Sequence, residues 1–191
     1  MNFNEHLNLK DRHAFLSPSY YHWINYDDEK LDITFTKFLA KERGTQLHTF
    51  AAEAIRLGVK LGNPKQTLSL YVNDAIGYKM IPEQSLCYSE NCFGRADAIC
   101  FRKNFLRIHD FKSGTTPTSM HQLEVYTALF CLEYNFKPEN IKIELRLYQT
   151  NEIIVHTPPP EDIHRIIEKI IIFDQRIDKL KNGEGGLWRM N

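Results

Sequence analysis

Two strand-type segments, 93–102 and 105–111, are separated only by Lys103-Asn104. A two-residue connection between alternating, β-branched and aromatic runs predicts an antiparallel hairpin. The short loop also sets the register, so that paired residue numbers sum to 207 and Asp97 faces Asp110. Directly opposed residues hold their Cβ atoms roughly 4.5–5.5 Å apart, and like charges at that spacing destabilise a sheet unless a cation sits between them. With a side-chain period of two, Arg95, Asp97, Ile99 and Phe101 share a face with Leu106, Ile108, Asp110 and Lys112. The apolar members lie toward the turn and the ionic ones toward the open end. Paired carboxylates at the rim of a buried face suit a hard divalent cation, Mg²⁺ or Mn²⁺, with positions left for water and phosphate. Lys112 is placed to orient an attacking water or to stabilise charge developing on a phosphate. Two acids and a lysine are what metal-assisted phosphodiester hydrolysis requires. The alternative is a salt-bridged strand end, in which Lys112 and Arg95 only neutralise two surface aspartates.

The remaining pattern sets this hairpin in an α/β fold, a central mixed sheet flanked by helices with a helical N-terminal region. Segments 85–89, 141–148 and 152–157 also read as strands of one mixed or antiparallel sheet. Helices are predicted over 29–42, 45–58, 65–78, 118–134 and 161–181, the last after the breaker Pro158-Pro159-Pro160. In the second of these, Leu47, Ala51, Ile55 and Val59 recur every four residues. Ser17-Pro18-Ser19 opens a short helix bearing Tyr20, Tyr21 and Trp23, with serine as cap and proline in the first turn. The expected organisation is a single domain over 1–191, mainly helical over 1–80, with the sheet and its helices over 81–182 and a loose tail at Gly183-Glu184-Gly185-Gly186.

Basic and acidic residues number 24 each, so no overall field draws a polyanion and such a partner would need a local basic patch. Arg43, Lys60, Lys65, Arg95, Arg102, Lys103 and Arg107 are the residues that could supply one. The first six residues lack a signal-peptide core, and no uncharged apolar run reaches the ~18 residues of a membrane helix, so a cytoplasmic protein without a membrane partner is expected. Cys87, Cys92, Cys100 and Cys131 lack the paired Cys-x-x-Cys spacing of zinc or redox sites and read as reduced thiols.

Four motifs occur in order along the chain. They are Gly44-Thr45-Gln46-Leu47-His48, Gly94-Arg95-Ala96-Asp97, His109-Asp110-Phe111-Lys112-Ser113-Gly114 and Gln122-Leu123-Glu124-Val125-Tyr126. In this arrangement the chain resembles the PD-(D/E)XK nuclease superfamily, and within it the RecB-like exonuclease branch of phages and bacteria. The resemblance covers most of the chain and implies a restriction-endonuclease-like core. It also implies that His48, Asp97, Asp110 and the Phe111 backbone carbonyl bind the metal, and that Lys112 is the catalytic lysine. Gln122 and Tyr126, four apart on one helix face, would reach the active site and the DNA backbone. Glu53 is left out, because the family's glutamate follows the histidine by four residues and that place is Ala52. Asp110 stands where the family often has glutamate. Some relatives hold an iron–sulfur cluster on four cysteines, three near the C-terminus, whereas here none follows Cys131.

The resemblance implies a metal-dependent exonuclease acting on single- or double-stranded DNA ends, in recombination, repair or phage DNA processing, in a bacterial cell or a phage-infected host. A recombination or replication protein and further copies of the chain are the partners it suggests. An endonuclease or a flap or branch nuclease would use the same site. Two readings of other classes are a nuclease-like protein that binds DNA or a partner without cutting, and an iron enzyme built on His48 and two carboxylates. Thr115, Thr116 and Ser119 read either as phosphate donors or, preferably, as a polar loop capping the next helix.

Overall fold

The predicted hairpin is present and lies at the centre of the sheet. The computed structural model describes residues 14–182 together with Glu5 and Leu7, so the glycine-rich tail lies outside the described residues. Strands β2 (Cys92–Arg102) and β3 (Phe105–Phe111) pair antiparallel from Arg102↔Phe105 to Ala98↔His109, the register in which numbers sum to 207. Lys103 and Asn104 have φ of 50° and 57°. Positive φ at both central residues is the type I′ turn, whose twist matches that of the strands.

Strand β1 (Ile81–Ser89) lies antiparallel outside β2; β4 (Lys142–Gln149) runs parallel to β3, and β5 (Glu152–His156) closes the order β1-β2-β3-β4-β5. The protein is therefore α/β with an open, five-stranded mixed sheet. The helices are α1 (Asp28–Leu57), α2 (Thr67–Gly77), α3 (His121–Glu133) and α4 (Pro160–Lys181), with shorter 3-10 turns at Pro18–Asn25 and Pro138–Asn140. Ser17 caps the first of these as expected, its Oγ accepting from the Ser19 N–H at 3.4 Å. The chain divides into two compact units, Met1–Thr45 and Gln46–Asn191, and α1 contributes to both.

Where two helices were expected around Gly44, α1 is continuous. A mid-helix glycine costs about 1 kcal/mol relative to alanine, too little to stop a helix that has good formers on both sides. Gly58 does end it, with φ of 69°, Gly58 N–H bonded to Ile55 O and Val59 N–H to Ala54 O. This is a Schellman-type stop, which uses a left-handed glycine.

In the second unit, two apolar clusters cover opposite faces of the sheet. Leu106, Ile108 and Leu145 pack with Leu123 and Leu129 of α3 and Ile163 of α4. Ala98, Cys100, Phe111 and Tyr148 pack with Ala51 and Ile55 of α1 and with Tyr71 and Val72 of α2. The second face also carries a polar network. Asp74 of α2 accepts from Tyr148 Oη (2.7 Å) and Arg146 Nη1 (3.1 Å), and Glu144 accepts from both Arg107 Nε and Arg146 Nε. Buried His109 lies against Tyr148 Oη, and burial, assisted by the charges of Arg146 and Arg107, holds its imidazole down to about 3. It is therefore neutral at physiological pH, and the Asp74 bonds to Tyr148 and Arg146 tie α2 to the sheet. Among the described residues no helix is long and apolar enough to cross a membrane.

Candidate functional site

At the open end of the hairpin the ladder stops one pair early. Ala98↔His109 is the last β2–β3 pair, and the Phe111 N–H donates to the Asp97 carboxylate, Oδ2, at 2.9 Å. Asp97 therefore approaches β3 through its side chain, and its negative charge still raises the pKa of Asp110. Asp110 is 1% exposed. The Lys112 ammonium lies 2.9 Å from its Oδ2 and 3.1 Å from Oδ1, but only the approach to Oδ1 has hydrogen-bond geometry. Oδ2 is thus a buried carboxylate oxygen that is ion-paired to the ammonium but has no hydrogen-bond donor of good geometry.

Burial, then the charge of Asp97, pushes the Asp110 carboxyl up to about 6, against the opposing pull of Lys112 and His48. The same carboxylates act on Tyr71 behind them. Burial first, then Asp97, Glu83 and Asp110, hold its phenol well above the ordinary value.

His48 reaches the site from α1, with Nδ1 3.3 Å from Asp97 Oδ2 and its ring edge-on to Phe111. Its hydrogen bond to Asp97 raises its pKa, more than burial lowers it. On the other side Lys112 donates to Gln122 Oε1 at 3.0 Å, and Gln122 Nε2 donates to Tyr126 Oη at 3.3 Å. Asp110, Lys112, Gln122 and Tyr126 thus form one hydrogen-bonded chain from β3 to α3. The Lys112 backbone is itself held, its N–H donating to Tyr148 O at 2.9 Å. Gly94 makes room for Tyr126, since a Cβ there would stand 2.9 Å from the ring's Cε1.

Glu83 is the site residue that the sequence reading missed. Its carboxylate, one His48 nitrogen and one Asp97 oxygen all lie within 4.8 Å of one another. The flanking pairs Pro82↔Ala98 and Gln84↔Ala96 bring it level with Asp97. Counting back from the β1–β2 turn would not find it. Ser89↔Cys92 sums to 181, and a bulge between Cys87 and Ser89 changes the sum to 180, moving Glu83 from opposite Ala98 to opposite Asp97. Glu83 also has φ of 54°, a left-handed conformation that costs a non-glycine residue of order 1–3 kcal/mol and gathers at functional sites.

Other expectations are corrected. Arg95 does not neutralise Asp97 but reaches Glu83 at 3.5 Å. Arg107 is bonded to Glu144 and stacked over Phe105, so it has a structural role. Arg102 and Lys103 lie at the turn, five strand residues or more from Asp97 and thus on the order of 16 Å away along the hairpin. Thr115, Thr116 and Ser119 do not cap α3, whose N-cap is Met120 without a side-chain bond. Their loop is tied down by Gln149, whose Nε2 donates to Gly114 O and Thr116 O, both at 2.7 Å.

The arrangement offers carboxylate oxygens with one imidazole and a fixed ammonium beside them. No protein-family model, curated protein or solved structure matches this chain.

Proposed function

We propose that this chain is a metal-dependent deoxyribonuclease of the PD-(D/E)XK kind, an exonuclease that hydrolyses phosphodiester bonds near DNA ends. The observation that carries this reading is Asp110, a buried carboxylate with an oxygen that lacks a hydrogen-bond donor of good geometry, beside a second carboxylate and a clamped lysine. A parallel β3–β4 pair joined through α3 beside an antiparallel hairpin is compatible with the restriction-endonuclease-like core.

The donor set fits Mg²⁺ or Mn²⁺. Asp97, His48 and Glu83 would hold the ion, their ligand atoms lying within 4.8 Å of one another. Asp110 lies outside that group and would join it, with the Phe111 carbonyl, as a further ligand, its Oδ2 gaining a partner besides the Lys112 ammonium. When bound, such an ion polarises a phosphoryl oxygen and makes water a nucleophile at neutral pH. The chain's own contribution is positional. Two of the Lys112 N–H groups are committed, to Asp110 and Gln122, leaving a third for a phosphate oxygen. Gln122 accepts from that ammonium and takes its own orientation from Tyr126, so α3 sets the direction in which the lysine points.

The test uses end-labelled single- and double-stranded DNA and a covalently closed circle, each with Mg²⁺, Mn²⁺ or EDTA. Release of label from linear DNA only, and only with metal, is expected. Cutting of the circle would make the enzyme an endonuclease, and DNA binding with no cleavage of any form would leave a binding protein instead.

Two variants test the parts. Glu83→Gln should weaken Mn²⁺ binding at least tenfold by calorimetry, the usual scale for a supporting metal partner; unchanged affinity would remove Glu83 from the ligand set. Gly94→Ala forces the Tyr126 ring aside, at a stability cost of about 1 kcal/mol because a side-chain end can yield. Cleavage should fall about tenfold as Gln122 loses its partner, with Mn²⁺ affinity unchanged.

A further inference from the structure

The first compact unit contains a cleft of about 770 Å³ for which the proposed chemistry has no use. One wall is a stripe of α1. Thr34, Lys37, Phe38 and Lys41 stand at i, i+3, i+4 and i+7, the spacing that aligns side chains on one helix face. The other wall is the 3-10 helix Pro18–Asn25, which supplies Tyr20 and Trp23. The Trp23 indole N–H donates to Ser17 O at 3.0 Å, which sets the plane of its ring, and Tyr20 is 72% exposed. The rings are thus presented, one fixed and one open.

Among the described residues the charge in this cleft is one-signed, its lining including two lysines and no acidic residue. Lys37 and Lys41 are four apart and repel each other along the helix. The positions three and four removed from them, apart from one another, are Ile33, Thr34, Phe38, Ala40, Gly44 and Thr45, none of them a carboxylate. Neither lysine makes an ion pair among the described residues. Two uncompensated ammonium groups beside exposed aromatic faces match a polyanion that also offers flat apolar rings. A duplex buries its base faces in stacking, and an acidic peptide would leave the aromatic wall unused. A single strand satisfies both walls.

We propose that this cleft binds single-stranded nucleic acid, with bases stacked on Tyr20 and Trp23 and backbone phosphates held by Lys37 and Lys41. This rests on the nuclease reading and deepens it by naming the form of substrate that the chain grips.

The probe is a short fluorescein-labelled oligo-dT, with binding to the full chain followed by anisotropy in EDTA so that no hydrolysis intervenes. Tyr20→Ala and Trp23→Ala should each weaken binding about tenfold, within the range for loss of one stacked base. The double variant Lys37→Gln/Lys41→Gln should flatten the slope of log affinity against log salt by about 1.4, the value for two contacts to a single strand. Blunt duplex should compete poorly. Because Trp23 is partly packed, a second readout uses a Trp188→Phe background, in which oligo-dT should quench the fluorescence of Trp23. Unchanged affinity in both Tyr20→Ala and the double lysine variant would overturn the proposal, as would duplex competing as well as oligo-dT. Cleavage by the wild type together with unchanged binding by the variants would sink the cleft and leave the nuclease. Cleft-dependent binding without any metal-dependent cleavage would do the reverse.

Discussion

Asp110→Asn is expected to abolish metal-dependent cleavage and, at the same time, to raise the melting temperature of the metal-free protein. The two effects come from one cause. Asp110 is buried beside Asp97, and its carboxyl is pushed up to about 6 by that burial and that neighbour. A folded-state pKa above the unfolded one means that the native state binds more protons than the unfolded state between about pH 4 and 6. The Asp110 contribution to stability is therefore greatest below that window and is lost as pH rises through it. At pH 8 the ionised side chain destabilises the metal-free protein by about 3 kcal/mol, which the neutral amide removes. For a chain of this size the gain is roughly 6–12 °C in melting temperature. At pH 4 wild type and variant should melt alike, because wild-type Asp110 is then largely protonated. Mn²⁺ at a hundred times its dissociation constant should stabilise the wild type by about 2.7 kcal/mol and the variant far less. A variant that melts lower than wild type in EDTA at pH 8 would show that Asp110 has a structural role.

Lys112→Ala should cost about a thousandfold in cleavage, the upper range for removing one preorganised donor to developing charge. It should not weaken metal binding. The ammonium repels a cation at Asp110, so Mn²⁺ affinity should hold or rise when it is removed. That pairing of outcomes separates a catalytic lysine from a structural salt bridge, whose loss would expose Asp110 and disturb the metal ligands together. Lys112→Arg should not rescue, because a planar guanidinium cannot reproduce a compact ammonium held between Asp110 and Gln122. Gln122→Ala, which removes only an orienting contact, should lose about tenfold. More than a tenth of wild-type cleavage in Lys112→Ala would sink the assignment. So would loss of its metal binding.

Asp110 and Lys112 were legible because they lie on or just beyond one hairpin strand, where a two-residue turn and a period of two place them by counting. Asp97 was legible only as a neighbour, because the alternation breaks at it, Ala96 and Ala98 packing in opposite apolar layers. Gln122 and Tyr126 were legible for the same kind of reason, as neighbours four apart on a helix. The pairing of Asp97 with Asp110 was less so. Counting gives the backbone register, but whether the ladder continues depends on competing donors, and here the Phe111 N–H goes to the Asp97 carboxylate. Gly44 and Gly58 show a similar limit in the helices. Both sit between good formers, and only the left-handed turn at Gly58 stops α1.

What the sequence by itself determined is local. It set the hairpin with its two-residue turn, the register of β2 against β3 as far as Ala98↔His109, and Asp110 and Lys112 at the open end, because each follows from backbone sterics and side-chain alternation over a few residues. The tertiary structure decided which distant groups join them and in what state. A bulge in β1 moved Glu83 opposite Asp97, and packing of α1 on the sheet brought in His48. Enclosure of β3 between two apolar layers buried Asp110 deeply enough to shift its proton affinity. Bulges, helix docking and burial depend on contacts between segments tens of residues apart, and no periodicity along the chain records them.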